Sequence, residues 1–402
     1  MHKRPESTQN KENNGLFRKV WPLVIAAVSL GIDAYVLAGV LPQIADSLAT
    51  TVGAIGLGVT AFTGAYAIAG TTLSRRASAR STKGALLVSL GLFNLANLIT
   101  ALAPNLEIFL GSRVLAGAGA GILTAVATAA AASLVGPEQR GRAMALVTFG
   151  LSTGTVAGVP IGMLIGDQIG WRWTMGLVVL VGIVSMGALI VRGGTMPPIP
   201  NEPGSGASVL KSPQVLTGVL LAFVFGVTSL GLYTYMLPMA EDRGLASWGF
   251  ALIWVWGIGG VAGSMLVGRP IDAFGSNRLL PLLATALLAS FIVISFLPQP
   301  VWWLVAILVW GATGWASVPT LQDALTRARP SATTSIVAFQ MAAMYLGSAV
   351  GSALGTALLG SGTRAGALPL WAMGAQAIAV ILALIVAALG RRALSAPTKD
   401  SV

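Results

Sequence analysis

Cysteine is absent from this 402-residue chain, and histidine occurs once, as His2 in a polar first stretch. Disulfides, thiolate metal sites and histidine proton relays are thereby excluded, and neither a metal nor a cofactor is expected. Charge is scarce as well: 9% of the residues are Asp, Glu, Lys or Arg, against about a quarter in soluble domains. A water-soluble globule of this length needs more polar surface than that. Two patterns that would suggest an enzyme also fail. Gly150-Leu151-Ser152-Thr153-Gly154 fits the G-x-S-x-G elbow of hydrolases, yet no histidine outside the first residues exists to activate the serine. No lysine stands in a G-x-x-x-x-G-K-[ST] loop, so there is no phosphate cradle and no built-in ATP hydrolysis. No catalytic residue is expected, and any transport must run on a gradient.

What the chain has is apolar length. Hydrophobic residues make up 55% of it, glycines number 50, and the mean hydropathy is +0.81. Apolar stretches of roughly 20 residues, each long enough to cross a hydrocarbon core, follow one another with short polar joints. Lipid offers no partner to a backbone N–H or C=O, so such runs must be helices, and the alternating signal of an outer-membrane barrel is absent. The expected fold class is an all-α membrane protein with twelve transmembrane helices, near 20–44, 52–73, 84–103, 107–135, 143–166, 171–192, 213–238, 248–268, 278–297, 301–323, 333–360 and 368–390. The first apolar run contains Asp33 and lacks a small-residue cleavage site, so it reads as a retained span.

Orientation follows from the basic residues. With the N-terminus inside, nearly all of them fall in cytoplasmic segments. The outer loops hold only Arg172, Arg243 and Arg364, and Arg113 lies within a span. Both termini are thus expected in the cytoplasm. The formal charge of +11 reflects this asymmetry and an anionic inner leaflet as partner, and nucleic-acid binding is not expected.

The chain also repeats. Val40-Leu41-Pro42 followed by Asp46 recurs as Met236-Leu237-Pro238 followed by Asp242, an offset of 196, and Pro104 maps to Pro300 at the same offset. Gly150, Gly154 and Gly158 recur as Gly347, Gly351 and Gly355 at an offset of 197. The expected organisation is a cytoplasmic tail at 1–19, a six-helix bundle at 20–192, a Gly/Pro/Ser-rich cytoplasmic linker at 193–212, a second, pseudo-symmetric six-helix bundle at 213–390 and a tail at 391–402.

Gly31-Ile32-Asp33-Ala34-Tyr35, continuing to Gly39-Val40-Leu41-Pro42, resembles the first span of major facilitator drug:proton antiporters. The resemblance covers essentially the whole chain. Arg113 with Gly117, Gly119 and Gly121 resembles the family's fourth-span arginine motif. Gly150, Gly154, Gly158, Pro160 and Gly162 resemble its fifth-span antiporter motif. Gly268-Arg269-Pro270-Ile271-Asp272 resembles the second-half copy of the loop signature, and Trp310-Gly311 through Trp315, Pro319 and Gln322 is most like the sugar-efflux, purine-efflux and drug-efflux subgroup. One departure stands out: the first-half loop signature normally carries an aspartate, and here Gly70 to Lys83 contains no acid. The resemblance implies the major facilitator fold, a bacterial inner-membrane location, a monomer, and export of a small organic compound such as a drug against entering protons. A sugar or purine/nucleoside efflux permease, or an uncoupled facilitator, is the alternative it leaves.

Asp33 sits roughly 20 Å along its span and Arg113 roughly 9 Å into a span entering from outside, at 1.5 Å per residue. Burying either ion alone is expensive, so a facing pair is the economical arrangement, and intramembrane ionisable residues are functional candidates by default. They are the expected proton-coupling residues, and a static bridge that fixes helix packing is the alternative. At the offset of 196 their equivalents are Ser229 and Val309, so the second half lacks both charges. Candidates to line a substrate cavity are Tyr35, Asn94, Asn97, Tyr233, Tyr235, Trp310, Trp315, Gln340, Met341 and Met344, a set with aromatic faces and amides but no second charge. The glycine ladders put small residues at fourfold spacing, which lets helix backbones approach closely. The resemblance adds that this contact seals against proton leak. Arg269 and Asp272 are candidates for a cytoplasmic gate.

Overall fold

A long apolar run in lipid satisfies its backbone only by hydrogen-bonding to itself, and the computed structural model of the chain is helical throughout its apolar length. It describes residues 6–192, 196–199 and 205–395. The side chains of Tyr35 and Pro160 lie outside that description, as do residues 193–195 and 200–204 of the expected linker and the last residues of the second tail. The chain forms two units. The first is built from α1 (Glu6–Ser47), α2 (Val52–Arg80, except Gly70–Thr72, which group with the second unit), α3 (Thr82–Leu102), α4 (Leu106–Ser133), α5 (Arg140–Thr153), α6 (Val159–Ile169) and α7 (Trp171–Arg192). The second holds the single turn α8 (Ser205–Ser208), then α9 (Pro213–Phe225), α10 (Met236–Asp242), α11 (Gly249–Leu266), α12 (Gly268–Phe274), α13 (Ser276–Phe296), α14 (Pro300–Thr326), α15 (Thr333–Gly360) and α16 (Leu368–Ser395). Among the described residues eleven helices are long and apolar enough to cross a membrane, or twelve if the bent pair α11–α12 is one span.

Every expected span coincides with helix, but several helices outrun it. The first begins at Glu6, inside the stretch expected as a tail, and α2 continues to Arg80. Most of the segment resembling a loop signature, Gly70 to Arg80, is therefore helical. Hydropathy marks where a helix leaves lipid, not where it stops. Its second-half counterpart does break: α12 turns 41° from α11. Pro270 explains the difference, because it lacks an N–H and its ring clashes with the carbonyl one turn back at Leu266. Its equivalent in the straight α2 is Ser74.

Helix ends use local chemistry. Thr51, Ser81 and Asn105 each accept a hydrogen bond from a first-turn amide, at 3.2, 3.0 and 2.9 Å, and so satisfy donors that the helix leaves open. Gly170 and Gly275 make the one-residue joints between α6 and α7 and between α12 and α13 with φ of +103° and +83°, a region other L-residues avoid. At the end of α10, Asp242 accepts from the Gly366 amide at 2.9 Å and pairs with Arg364 at 3.1 Å. Desolvation works against its charge, but the Gly366 N–H and then the Arg364 and Arg243 guanidinium groups outweigh it and hold the carboxyl below its usual range.

The glycine ladder fixes the first unit. A methyl on Gly150 or Gly154 would strike the carbonyl of Val24 or Val28, and one on Gly158, Gly162 or Gly166 would strike the side chain of Ile32, Val36 or Val40. Both sets advance by four in the same direction, so α1 lies parallel to α5–α6 at backbone contact. Between them the helix widens into an i→i+5 turn at Gly154–Gly158. In the second unit Gly347 and Gly351 of α15 meet the carbonyls of Phe223 and Val227. There the wide turn, Gly226–Gly231, sits on the other member of the pair, following α9.

Candidate functional site

Three glycines of α4 set its place. A methyl on Gly117 or Gly121 would strike the backbone of α2 at Phe62 or Tyr66, and one on Gly119 would strike α3 at Ser89 and Phe93. Held between those helices, α4 carries Arg113 toward α1. Gly58 of α2 leaves room for Phe109 and Arg113, since a Cβ there would lie 2.6 Å from Phe109 Cε1 and 3.2 Å from Arg113 Cγ.

Arg113 reaches Asp33 with both terminal nitrogens: Nη1 to Oδ1 at 2.9 Å and Nη2 to Oδ2 at 3.2 Å. Asp33 is 0% and Arg113 1% exposed. Nη1 also donates to Asn97 Oδ1 at 3.0 Å, and Asn97 Nδ2 donates to the Phe93 carbonyl at 3.1 Å. The Phe62 ring lies 4.6 Å from the guanidinium carbon, a cation–π contact that gains strength out of water. Arg113 Nε is buried without a hydrogen-bond partner. Taking two ions out of water costs several kcal/mol each, and only bidentate geometry with further hydrogen bonds offsets it. The site has both, and it holds a titratable carboxyl whose protonation would strip the guanidinium of its counterion.

The second unit puts a neutral contact in the equivalent place. Ser229, in the wide turn, accepts from Trp310 Nε1 at 2.9 Å, and Phe291 packs edge-on to that indole at 5.2 Å. Next to it Thr228 donates to Gln376 Oε1 at 2.7 Å, and Gln376 Nε2 donates to the Ala284 carbonyl at 3.0 Å. No charge takes part. Trp310→Phe is expected to cost about 1 kcal/mol, as interhelical hydrogen bonds in membranes do. It should lower the thermal unfolding midpoint of the purified variant slightly.

The remaining candidates separate. Asn97 belongs to the ion pair, whereas Asn94 lies over Gly182 of α7 with both amide atoms unpartnered. Tyr233 stacks on Trp256 at 4.2 Å, and Trp256 meets Trp315 edge-on at 6.3 Å. Tyr235 is a strut whose hydroxyl bonds to Thr356 at 2.8 Å and to the Ser352 carbonyl of α15. Gln340, Met341 and Met344 are buried on α15. Arg269 is exposed and Asp272 part-exposed on α12.

Sequence reasoning passed over Phe62, Trp256 and Asp323. Asp323 is 1% exposed on α14 and pairs with Arg327 at 2.9 Å. An acid in an apolar run was a readable signal, but the expected span ended on that residue and gave it to the loop. Trp256 had no signal of its own, because only the packing of α11 on α14 sets it beside Trp315.

Residues 23–352 match the profile of the Major Facilitator Superfamily. Among curated relatives, a chloramphenicol resistance protein of Streptomyces lividans is 30% identical over 378 residues, 91% of this chain and 94% of that one. The inner membrane transport protein YdhP of Escherichia coli (strain K12) is 28% identical over 371 residues, 90% and 94% of the two chains. Among solved structures, FucP in its outward conformation superposes with a TM-score of 0.74 at 15% identity, covering 91% of this chain and 98% of that one. The proton:xylose symporter XylE does so at 0.75 with 14% identity, covering 92% and 94%. At those identities the structural likeness concerns the fold alone.

Proposed function

Because the chain belongs to the Major Facilitator Superfamily of membrane transporters and is no enzyme, we propose that it exports a small, drug-like organic compound across a bacterial inner membrane in exchange for protons, by alternating access. The observation that carries this reading is the fully buried bidentate pair of Asp33 and Arg113. Ionised, the pair is neutral overall and can stay buried. Once Asp33 takes a proton, Arg113 keeps its charge, because a guanidinium does not deprotonate in proteins. It then needs water or another acceptor, so the protonated form favours a different conformation. A substrate that binds the two conformations unequally is thereby coupled to the proton.

The name of the 30%-identical relative, a chloramphenicol resistance protein, supports a drug as the class of cargo. Both termini are assigned to the cytoplasm on the distribution of basic residues, and Arg269 and Asp272 on α12 are assigned to a gate on that side.

In proteoliposomes loaded acid-inside by two pH units, with the membrane potential clamped at zero, labelled chloramphenicol should accumulate. The ceiling is about 100-fold for one proton per substrate, a factor of ten per pH unit. Collapsing the gradient with a protonophore should abolish the accumulation. Equilibration at the same rate with and without the gradient would make the protein an uncoupled facilitator.

A further inference from the structure

The second unit contains an aromatic cluster with two buried indole N–H groups that have no hydrogen-bond partner. Tyr233, between the wide turn and α10, stacks on Trp256 of α11, and Trp315 of α14 stands edge-on to Trp256. Trp256 and Trp315 are buried, at 2% and 5% exposure, and neither indole N–H has a hydrogen-bond partner. A buried donor without an acceptor is costly, and two in one cluster call for an explanation. The other unpartnered indoles, Trp171 and Trp303, are also buried but stand singly, in the first turns of α7 and α14. Gly260 is what lets Trp315 lie against α11, since a Cβ there would strike its pyrrole edge.

The same unit offers acceptors too. Gln322 Oε1, two turns along α14 from Trp315, and Gln340 Oε1 on α15 are buried and unpartnered. Formal charge is missing: α11 has no ionisable residue, and α14 has only Asp323, which Arg327 neutralises. Tyr233 is the one part-exposed residue of the three.

We propose that Tyr233, Trp256 and Trp315 form a recognition site for a neutral, planar aromatic ligand bearing oxygen acceptors, with Tyr233 supplying the stacking face and the two indole N–H groups donating to nitro or carbonyl oxygens. This rests on the export reading for its physiological meaning, since the ligand would be the exported compound. It assigns substrate choice to the second unit and proton handling to the first.

The test is equilibrium binding of labelled chloramphenicol, a neutral nitroaromatic amide, to the full chain in lipid nanodiscs at fixed pH without a gradient. Ethidium, planar and cationic, serves as the contrast. Trp256→Phe and Trp315→Phe keep an aromatic ring, though a smaller one, and delete the donors; each should weaken chloramphenicol binding about five- to tenfold, as loss of one hydrogen bond does, and more than it weakens any ethidium binding. Tyr233→Leu should weaken chloramphenicol binding as well. On the wild-type protein, the indole N–H marker in ultraviolet resonance Raman spectra should shift toward the hydrogen-bonded position when chloramphenicol is added, a reading that does not depend on any variant folding. Absence of chloramphenicol binding, an unshifted marker, or equal losses for both probes would overturn the proposal. Because no gradient is present, failure of proton coupling leaves this result untouched, and failure here leaves coupling untouched.

Discussion

Asp33→Asn is expected to abolish gradient-driven accumulation in proteoliposomes, reducing it from tens-fold to equilibration, and to lower stability at the same time. Asparagine keeps the shape and can accept from Arg113, but it leaves a buried guanidinium without a counterion, and breaking a buried pair from one side costs about 3–5 kcal/mol. Stability loss alone would not distinguish a proton site from a structural bridge. The double variant Asp33→Asn/Arg113→Gln does, because it removes both charges together and so leaves neither buried without its partner, which is what makes the one-sided break costly. Its thermal midpoint should recover most of what the single variant loses, while accumulation stays at the ungated level. If the double variant recovers both stability and pH-driven accumulation, the pair is a bridge and the proton passes elsewhere.

Gly154→Ala should be nearly as damaging, for a different reason. The added methyl would sit on the Val28 carbonyl, and neither backbone can give way without shifting the helices. Overpacking of this kind costs about 1–3 kcal/mol, occasionally more. The matched control is Gly187→Ala on α7, where a Cβ meets nothing within 4 Å and a glycine-to-alanine change in a helix is neutral or gains up to about 1 kcal/mol. Unfolding midpoints in one detergent should therefore move in opposite directions for these two variants. Equal behaviour would mean that α1 and α5 are not in the contact described.

The spans were legible because lipid imposes one solution on any apolar run of sufficient length. Their ends were not, as Glu6 and Arg80 illustrate, since a helix already nucleated continues into water for as long as its residues permit. The meeting of Asp33 and Arg113 was legible from cost alone: two lone opposite charges in an oily sequence have few ways to be buried. Their company was not legible. Asn97 looked like a group for substrate and is a guanidinium acceptor, and Phe62 became a cation–π partner only through the Gly117 and Gly121 contacts that bring α2 against α4. The wide turns left no trace in hydropathy, because one extra residue in a helical turn changes geometry without changing composition.

The fourfold register of α1 on α5–α6 has a mechanical corollary. A contact line that repeats every 4 residues outpaces the 3.6 of a straight helix, so the partners must coil about one another in the right-handed sense, like two plies of a cord. The wide turn at Gly154–Gly158, which rotates less per residue, relieves part of that winding midway. The backbone contacts of Gly150 and Gly154 block slippage by less than a full step of about 6 Å. A working stroke that separates the two helices along this line would break the closest backbone contacts of the first unit, so they are expected to move together.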